Sequence, residues 1–271
     1  MFRYYDDSNW KNLIVPPKTE DGSPQWFRRR TRYASPEAAA LGLVPLEAYP
    51  DQVITWDKVP ETIERCHAEK VFPLYHLHKY LWKPEDWYQD GYGYCWAYGL
   101  TAAVALARAV EGQPTVRLSP TSLGWLVGWR NRGYYCDEAI AGARSRGIAP
   151  VDYCPELVLD IKKFKPGWET EALKYRPLEW WDVNTGRDSK TIIQQALSIL
   201  ATGRALYVAY NWWGHALCCV GLEWEKNGVA WQLWNSHGDG VIEIAGSRGV
   251  PDEAYGVRAT SWGLGPKNRM G

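Results

Sequence analysis

The apolar pattern of this 271-residue chain changes period once, at Gly203, and that change limits what it can fold into. Before it, Leu100, Ala103, Val104, Ala107 and Val110 recur at three- and four-residue spacing, with Gly112 as a stop, and predict a helix from Cys95. Further helices are predicted from Ser35-Pro36, over about 60–70, from Ser119-Pro120 to about Arg130, over Cys136 to Arg146, and from near Ser189 to Gly203. After Gly203 the pattern is that of strands, at 205–210, 215–224, 229–234 and 241–244. Asn227-Gly228 is a strong hairpin turn between the second and third of them. Helices first and strands afterwards predict an α+β protein. Three segments are expected: an extended arm over 1–75, a helical lobe over 76–185 and a β-rich lobe over 186–271.

Composition excludes several classes. Lys+Arg and Asp+Glu both number 31, and the resulting zero net charge argues against nucleic acid as the main partner, which needs a basic face. The cluster Arg28, Arg29, Arg30 and Arg32 reads as a solvated or ion-paired face of the arm, which would wrap the body or touch a protein partner. The longest nearly uncharged apolar run, Gly99 to Ala107, is far below the roughly 20 residues that cross a bilayer, so no membrane partner is expected. The first residues hold Asp6 and Asp7 and no apolar stretch, which predicts no secretory signal and a cytoplasmic or particle-associated protein. Its six cysteines are then expected to be reduced thiols, with Cys218 and Cys219 alternating faces of a strand. Tryptophan and tyrosine, 17 of each, are abundant and suit grooves as well as cores. Of the tryptophan pairs, 180–181 reads as packing, whereas 212–213 reads equally as groove wall or packing. Asp182 and Asp239 read as loop carboxylates.

Two stretches carry chemistry. In Gln89-Asp90-Gly91-Tyr92-Gly93-Tyr94-Cys95-Trp96-Ala97-Tyr98, a cysteine stands where a glycine-containing loop enters an apolar helix. A helix N-terminus favours negative charge, so this position biases the thiol toward thiolate. In the strand pair, antiparallel pairing about Asn227-Gly228 brings the start of His215-Ala216-Leu217-Cys218-Cys219 beside the end that carries Asn235-Ser236-His237-Gly238. His215 and Asn235 are therefore expected to be neighbours, with the amide orienting the imidazole. Cysteine, histidine and a polar orienter make the nucleophile–base–third-group arrangement of covalent catalysis. His76-x-His78 and Cys66-His67 lack a second cysteine pair or an acidic ligand, so no metal is predicted, and no organic cofactor.

These blocks resemble the papain-like cysteine peptidases. Gln89 stands six residues before Cys95, as the family's oxyanion-hole glutamine does, and Gly93-x-Cys95-Trp96-Ala97-Tyr98 is similar to its Gly-x-Cys-Trp-Ala-aromatic motif. His215-Ala216 and Asn235-Ser236-x-Gly238 match the other two blocks. They lie 120 and 140 residues after Cys95, against roughly 130–150 in the family. Leu118-Ser119-Pro120 is similar to the start of the family's second helix, and Asn131-Arg132-Gly133-Tyr134-Tyr135 to its substrate-binding strip. The resemblance, from about Gln89 to Trp262, implies a two-lobed papain-like fold with an active cleft between the lobes. It implies cleavage of peptide or protein substrates through a Cys95 thioester. His215 would be the base, Asn235 the orienter and Gln89 an oxyanion donor, while Gly93, Asn131, Gly133 and Tyr134 would bind substrate.

Departures from the family pattern are specific. Tyr92 stands at the place of a disulfide cysteine, and Arg132 at that of a substrate-binding glycine. His237 replaces the tryptophan that covers the His–Asn hydrogen bond, which predicts a more exposed pair. Residues 1–88 hold no recognisable inhibitory propeptide motif. Cell-wall amidopeptidases and transglutaminases share Cys–His chemistry, but the Gln89 spacing and the Asn-Ser-x-Gly block favour the peptidase. The alternative from a different class is a papain-fold structural or interaction protein, such as a component of a virus or phage particle.

Overall fold

A computed structural model describes residues 2–13, 43–45, 53–77, 86–128, 133–183, 188–226 and 228–260. Its α-helices are α1 (Val59–Ala68), α2 (Cys95–Val110), α3 (Pro120–Leu126), α4 (Cys136–Arg146), α5 (Trp168–Ala172) and α6 (Ser189–Leu200). Its strands are β1 (Arg3–Tyr5), β2 (Leu43–Pro45), β3 (Glu179–Asp182), β4 (Leu206–Tyr210), β5 (His215–Glu225), β6 (Gly228–Trp234), β7 (Val241–Ile244) and β8 (Glu253–Ala259). The α+β reading holds. The helix expected to run to about Arg130 stops at Leu126, where Gly128 turns the chain with positive φ. The helix expected at Ser35-Pro36, the arginine cluster, His78, Asn131, Arg132 and Asn227 lie outside the described residues.

Eight strands form one sheet in the order β1-β7-β6-β5-β4-β8-β3-β2. Its middle is antiparallel, with Tyr210 opposite His215 and Cys218 opposite Trp234. Its two ends are parallel: Arg3 pairs with Ile242, and Leu43 with Trp180. Edge strands thus come from residues 1–75, and β3, from the segment 76–185, joins the sheet beside β8. Asp182 consequently lies in a strand and not, as the sequence suggests, in a loop.

The central strands are buried on both faces, which explains their nearly unbroken apolar sequences. On one face Ala216, Cys218, Val220, Tyr207 and Trp234 meet α2 and its neighbours α3 and α4. On the other, Leu217, Cys219, Leu206, Trp231 and Leu233 meet α1 and α6. Cys218 and Cys219 therefore both enter the core, from opposite sides. All six cysteines are buried free thiols.

Helix α2 is apolar almost all round and nearly every residue of it is buried, as expected of a central helix. Its contact with β5 depends on Gly99. A Cβ there would stand 2.8 Å from the Leu217 carbonyl oxygen, so only glycine lets the helix lie against the strand. That contact brings the start of α2, with Cys95, to the start of β5, with His215. Among the described residues, no helix is long and apolar enough to cross a membrane.

Candidate active site

The loop leading to Cys95 is shaped by Asp90-Gly91. Both residues have positive φ, 48° and 73°, and the Tyr92 N–H closes the turn on the Gln89 carbonyl at 3.0 Å. Asp and Gly tolerate this left-handed geometry, which most residues resist. The turn is fastened to the strand end that carries Asn235. Tyr88 bridges His237, and the Gln89 N–H donates to the Ser236 carbonyl at 2.9 Å. The Ser236 hydroxyl donates to Gln89 Oε1 at 2.5 Å. Gln89 Nε2 donates to the Tyr92 carbonyl at 2.6 Å, using one of the two N–H groups an amide carries.

Cys95 is the first residue of α2 and only 1% exposed. Burial pushes its thiol up to about 11, although the backbone N–H groups of Ala216, Trp96 and Cys95 itself act in the opposite direction. The thiolate bias expected of a helix start is thus overridden. Desolvation in the core penalises the charged sulfur more than three N–H dipoles stabilise it. The Trp96 indole N–H donates to the Gly93 carbonyl at 2.9 Å, and its ring lies 4.8 Å from that of Tyr134. Gly93 is buried, while Gly133 and Tyr134 are half-buried beside this helix start.

His215 and Asn235 are neighbours, as the hairpin predicts, and a bulge between Cys219 and Gly221 brings both side chains to one face. Nε2 lies 2.7 Å from Asn235 Oδ1, a carbonyl-type acceptor, so the ring nitrogen donates. The proton then sits on Nε2, and Nδ1, which has no hydrogen-bond partner, carries the lone pair. Asn235 is held in turn by its own N–H, which donates to the Gly240 carbonyl at 2.9 Å. The imidazole pKa is held well below its ordinary value, chiefly by burial and then by His237, with the Asn235 bond opposing.

The predicted exposure of this pair is overturned: His215 and Asn235 are both 0% exposed. The His237 ring stacks on His215 at 4.2 Å and 23°, and Trp213 meets the same ring edge-on at 4.6 Å. Two flat side chains thus do what one tryptophan does in the family pattern. Trp213, from the tryptophan pair that sequence left open, is a wall of the site. It also stacks on Trp212, which meets Trp10 edge-on at 5.9 Å, while the Arg248 guanidinium lies 3.8 Å from the Trp10 ring centre. Trp180 and Trp181 are buried core, as read from sequence.

Sequence reasoning missed other neighbours of the site. Cys136, buried at the start of α4, has its thiol pushed well up by burial and by the charge of Glu253 on β8. Nothing local in the sequence marks Glu253, because only the β4–β8 pairing brings it near. Asp239, read as an ordinary carboxylate, is raised by burial and faces Arg3 of β1 at 3.8 Å. Elsewhere, His76 closes a 3-10 turn and donates from Nε2 to the Lys70 carbonyl at 2.8 Å. His67 bonds Tyr75 and Leu222, so neither imidazole is set aside for a metal. Among the described residues no group of three potential ligands could hold one.

No protein-family model matches the sequence, and no curated protein matches it. Solved structures do. Digestive procathepsin L 3 of Tenebrio molitor larval midgut aligns at 18% identity and a TM-score of 0.50, over 62% of this chain and 64% of that one. The chain therefore spans less than two thirds of that relative. Xylellain, a cysteine protease from Xylella fastidiosa, aligns at 20% identity and a TM-score of 0.48, over 62% and 80% of the two chains. The Carica candamarcensis cysteine protease CMS1MS2, solved in complex with E-64, aligns at 19% and 0.47, over 62% and 90%. Identities this low speak for fold alone, and the first alignment is the one that carries it. The chain has the α+β fold of the papain-like cysteine proteases.

Proposed function

We propose that the protein is a cysteine-type peptidase that cleaves peptide bonds through a Cys95 thioester. The observation that carries this reading is the His215–Asn235 bond. It leaves Nδ1 as the ring nitrogen with a lone pair, one residue from the Ala216 N–H that donates toward the Cys95 sulfur. With the thiol and the imidazole both neutral at rest, His215 acts as a general base during attack and not as half of a preformed ion pair. Cys95 Sγ adds to the scissile carbonyl as its proton passes to Nδ1. The imidazolium then protonates the leaving amine, and a water activated by the regenerated imidazole hydrolyses the thioester. Asn235 holds the ring plane throughout. The Cys95 N–H and the Gln89 amide receive the oxyanion, a donor of this kind being worth about 2.7–4 kcal/mol. Gly93, Asn131, Gly133 and Tyr134 bind the substrate backbone.

The test is covalent labelling of the full chain at neutral pH with an epoxide-type thiol-protease inactivator, read by intact mass. One adduct on Cys95, absent in Cys95→Ala and His215→Ala, is expected. No adduct on folded protein, or adducts spread over Cys66, Cys136 and Cys218 regardless of His215, would overturn the reading. A second reading draws on the burial of Cys95 and the height of its pKa. In it the fold serves as a scaffold or interaction module, with the segment 1–75 as a partner surface and little proteolysis. Failure to label would favour it.

A further inference from the structure

The two imidazoles at the site form an unusual unit. His215 opens β5, His237 sits in the turn after β6, and their rings are parallel to within 23° at 4.2 Å. Neither nitrogen of His237 has a hydrogen-bond partner. Its ring is therefore placed by stacking on His215, by its distance of 6.3 Å from Trp213, and by the backbone bridge to Tyr88. No acceptor in this arrangement is dedicated to a His237 proton.

We propose that His237 is a positioning residue that gates the base by charge: once protonated, it bars the stacked His215 ring from accepting the Cys95 proton, so the site shuts in acid. The consequence for catalysis rests on the peptidase reading above, but the coupling between the rings does not. The order of titration follows from depth of burial. His215 is wholly buried and its Nε2 proton is already held by Asn235, whereas His237, although both its ring nitrogens are covered, is not fully enclosed as a residue, so His237 charges first as pH falls. Burial already holds it down to about 4. At neutral pH both rings are neutral and Nδ1 of His215 is open to the thiol proton. Below the His237 titration a second positive charge on the adjacent ring would meet a like charge at stacking distance, and the transfer is suppressed.

Other charged or titratable groups do not cancel this. On the same turn, Asp239 faces Arg3 of β1 at 3.8 Å and is further engaged by the Asn235 side chain. Across the bridge, the 86–90 loop brings the Tyr88 phenol and the amide of Gln89. From α2 comes Cys95, held as a neutral thiol. The Trp213 side packs an uncharged indole.

The experiment uses the full chain and two readouts. The rate of Cys95 labelling by the epoxide inactivator is measured from about pH 2.5 to 8, and the imidazole carbons of all five histidines are followed by NMR over the same range. In wild type the acid limb of labelling should coincide with the His237 titration. His237→Phe keeps a flat ring against His215 without the charge. Its acid limb should move down by about one pH unit or more, giving labelling roughly five- to tenfold faster than wild type one unit below the wild-type midpoint. His237→Gln, also uncharged, carries the same expectation if the phenylalanine variant does not fold. Circular dichroism defines the pH range in which each protein is folded. Identical acid limbs in wild type and both variants, with His237 seen to titrate, would overturn the proposal. If wild type is unlabelled at every pH, the peptidase reading falls, and the His215 signal decides the coupling. A higher His215 midpoint in His237→Phe than in wild type keeps the coupling, and an unchanged one ends it.

Discussion

The two halves of the site are built in opposite ways. The half proposed as the base, His215 and Asn235, sits at the adjoining ends of one hairpin, where a bulge between Cys219 and Gly221 shifts the register by one and puts both side chains on one face, and a 2.7 Å bond finishes it. The nucleophile half has no local partner of that kind. Cys95 reaches the same place through the close approach of Gly99 to Leu217 and through a loop tied to Ser236 and His237. Local pairing therefore fixes a geometry, whereas the chemical state of the thiol is set by how deeply distant parts of the chain bury it. A ring can be oriented by one strand neighbour, but a pKa reports the whole surroundings.

Breaking the halves one at a time sharpens that contrast. Removing the nucleophile or the base, with Cys95→Ala or His215→Ala, should lower any peptidase rate by about a thousandfold or more, since such residues act as a unit. Peptide hydrolysis by purified protein measures it. Asn235→Ala leaves the base present but loosely held. Losing the bond to a buried ring, about 1–3 kcal/mol, should lower the inactivation rate by roughly 10- to 100-fold while Cys95 still labels. Gly99→Val attacks the nucleophile half from the helix side. Its added carbons meet the Leu217 carbonyl, so unfolding in urea should show about 1–3 kcal/mol lost. Labelling should fall as well, since Cys95 is carried away from β5.

The thiol itself gives a gentler probe. With its pKa pushed up to about 11, reaction of Cys95 with a small undirected alkylator should be slow at neutral pH. The rate should climb about tenfold per pH unit until the thiol has ionised. A plateau already near neutral pH would mean that the imidazole, not burial, governs the resting sulfur. The smallest effect is expected from Arg3→Ala, which removes a half-exposed partner of Asp239 at 3.8 Å. Stability should change by no more than about 1 kcal/mol in thermal unfolding, because the contact is long at 3.8 Å and its Arg3 side is 59% exposed, although Asp239 itself is only 4% exposed.

What the sequence made legible follows the same division. The strand pair and the nearness of His215 to Asn235 were readable because a hairpin is a local structure, whereas the bulge between Cys219 and Gly221 that puts both side chains on one face was not. The helix start at Cys95 was readable from apolar spacing and glycine placement. The state of that cysteine was not, since the thiolate bias of a helix start is visible in sequence whereas complete burial is a product of tertiary packing. His237 shows the same lesson from the other side. Its substitution for a tryptophan suggested exposure, yet Trp213, brought in from the turn before β5, closes over the ring. Glu253 and the pairing of β1 with β7 left no local trace, because each depends on contacts between chain segments far apart.

That last pairing has a consequence for how the molecule is made. The Asp7 carboxylate bonds the Ser247 hydroxyl at 2.5 Å across a separation of 240 residues, and β1 runs parallel to β7 beside it. During synthesis β1 lacks its partner until β7 emerges. A sheet edge closed over so long a loop belongs to the slow class of folding events, and the core strands can form without it. The Arg3–Asp239 contact beside the turn after β6 is then among the last to be established, so a freshly folded molecule would hold its central hairpin before this edge of the sheet has docked.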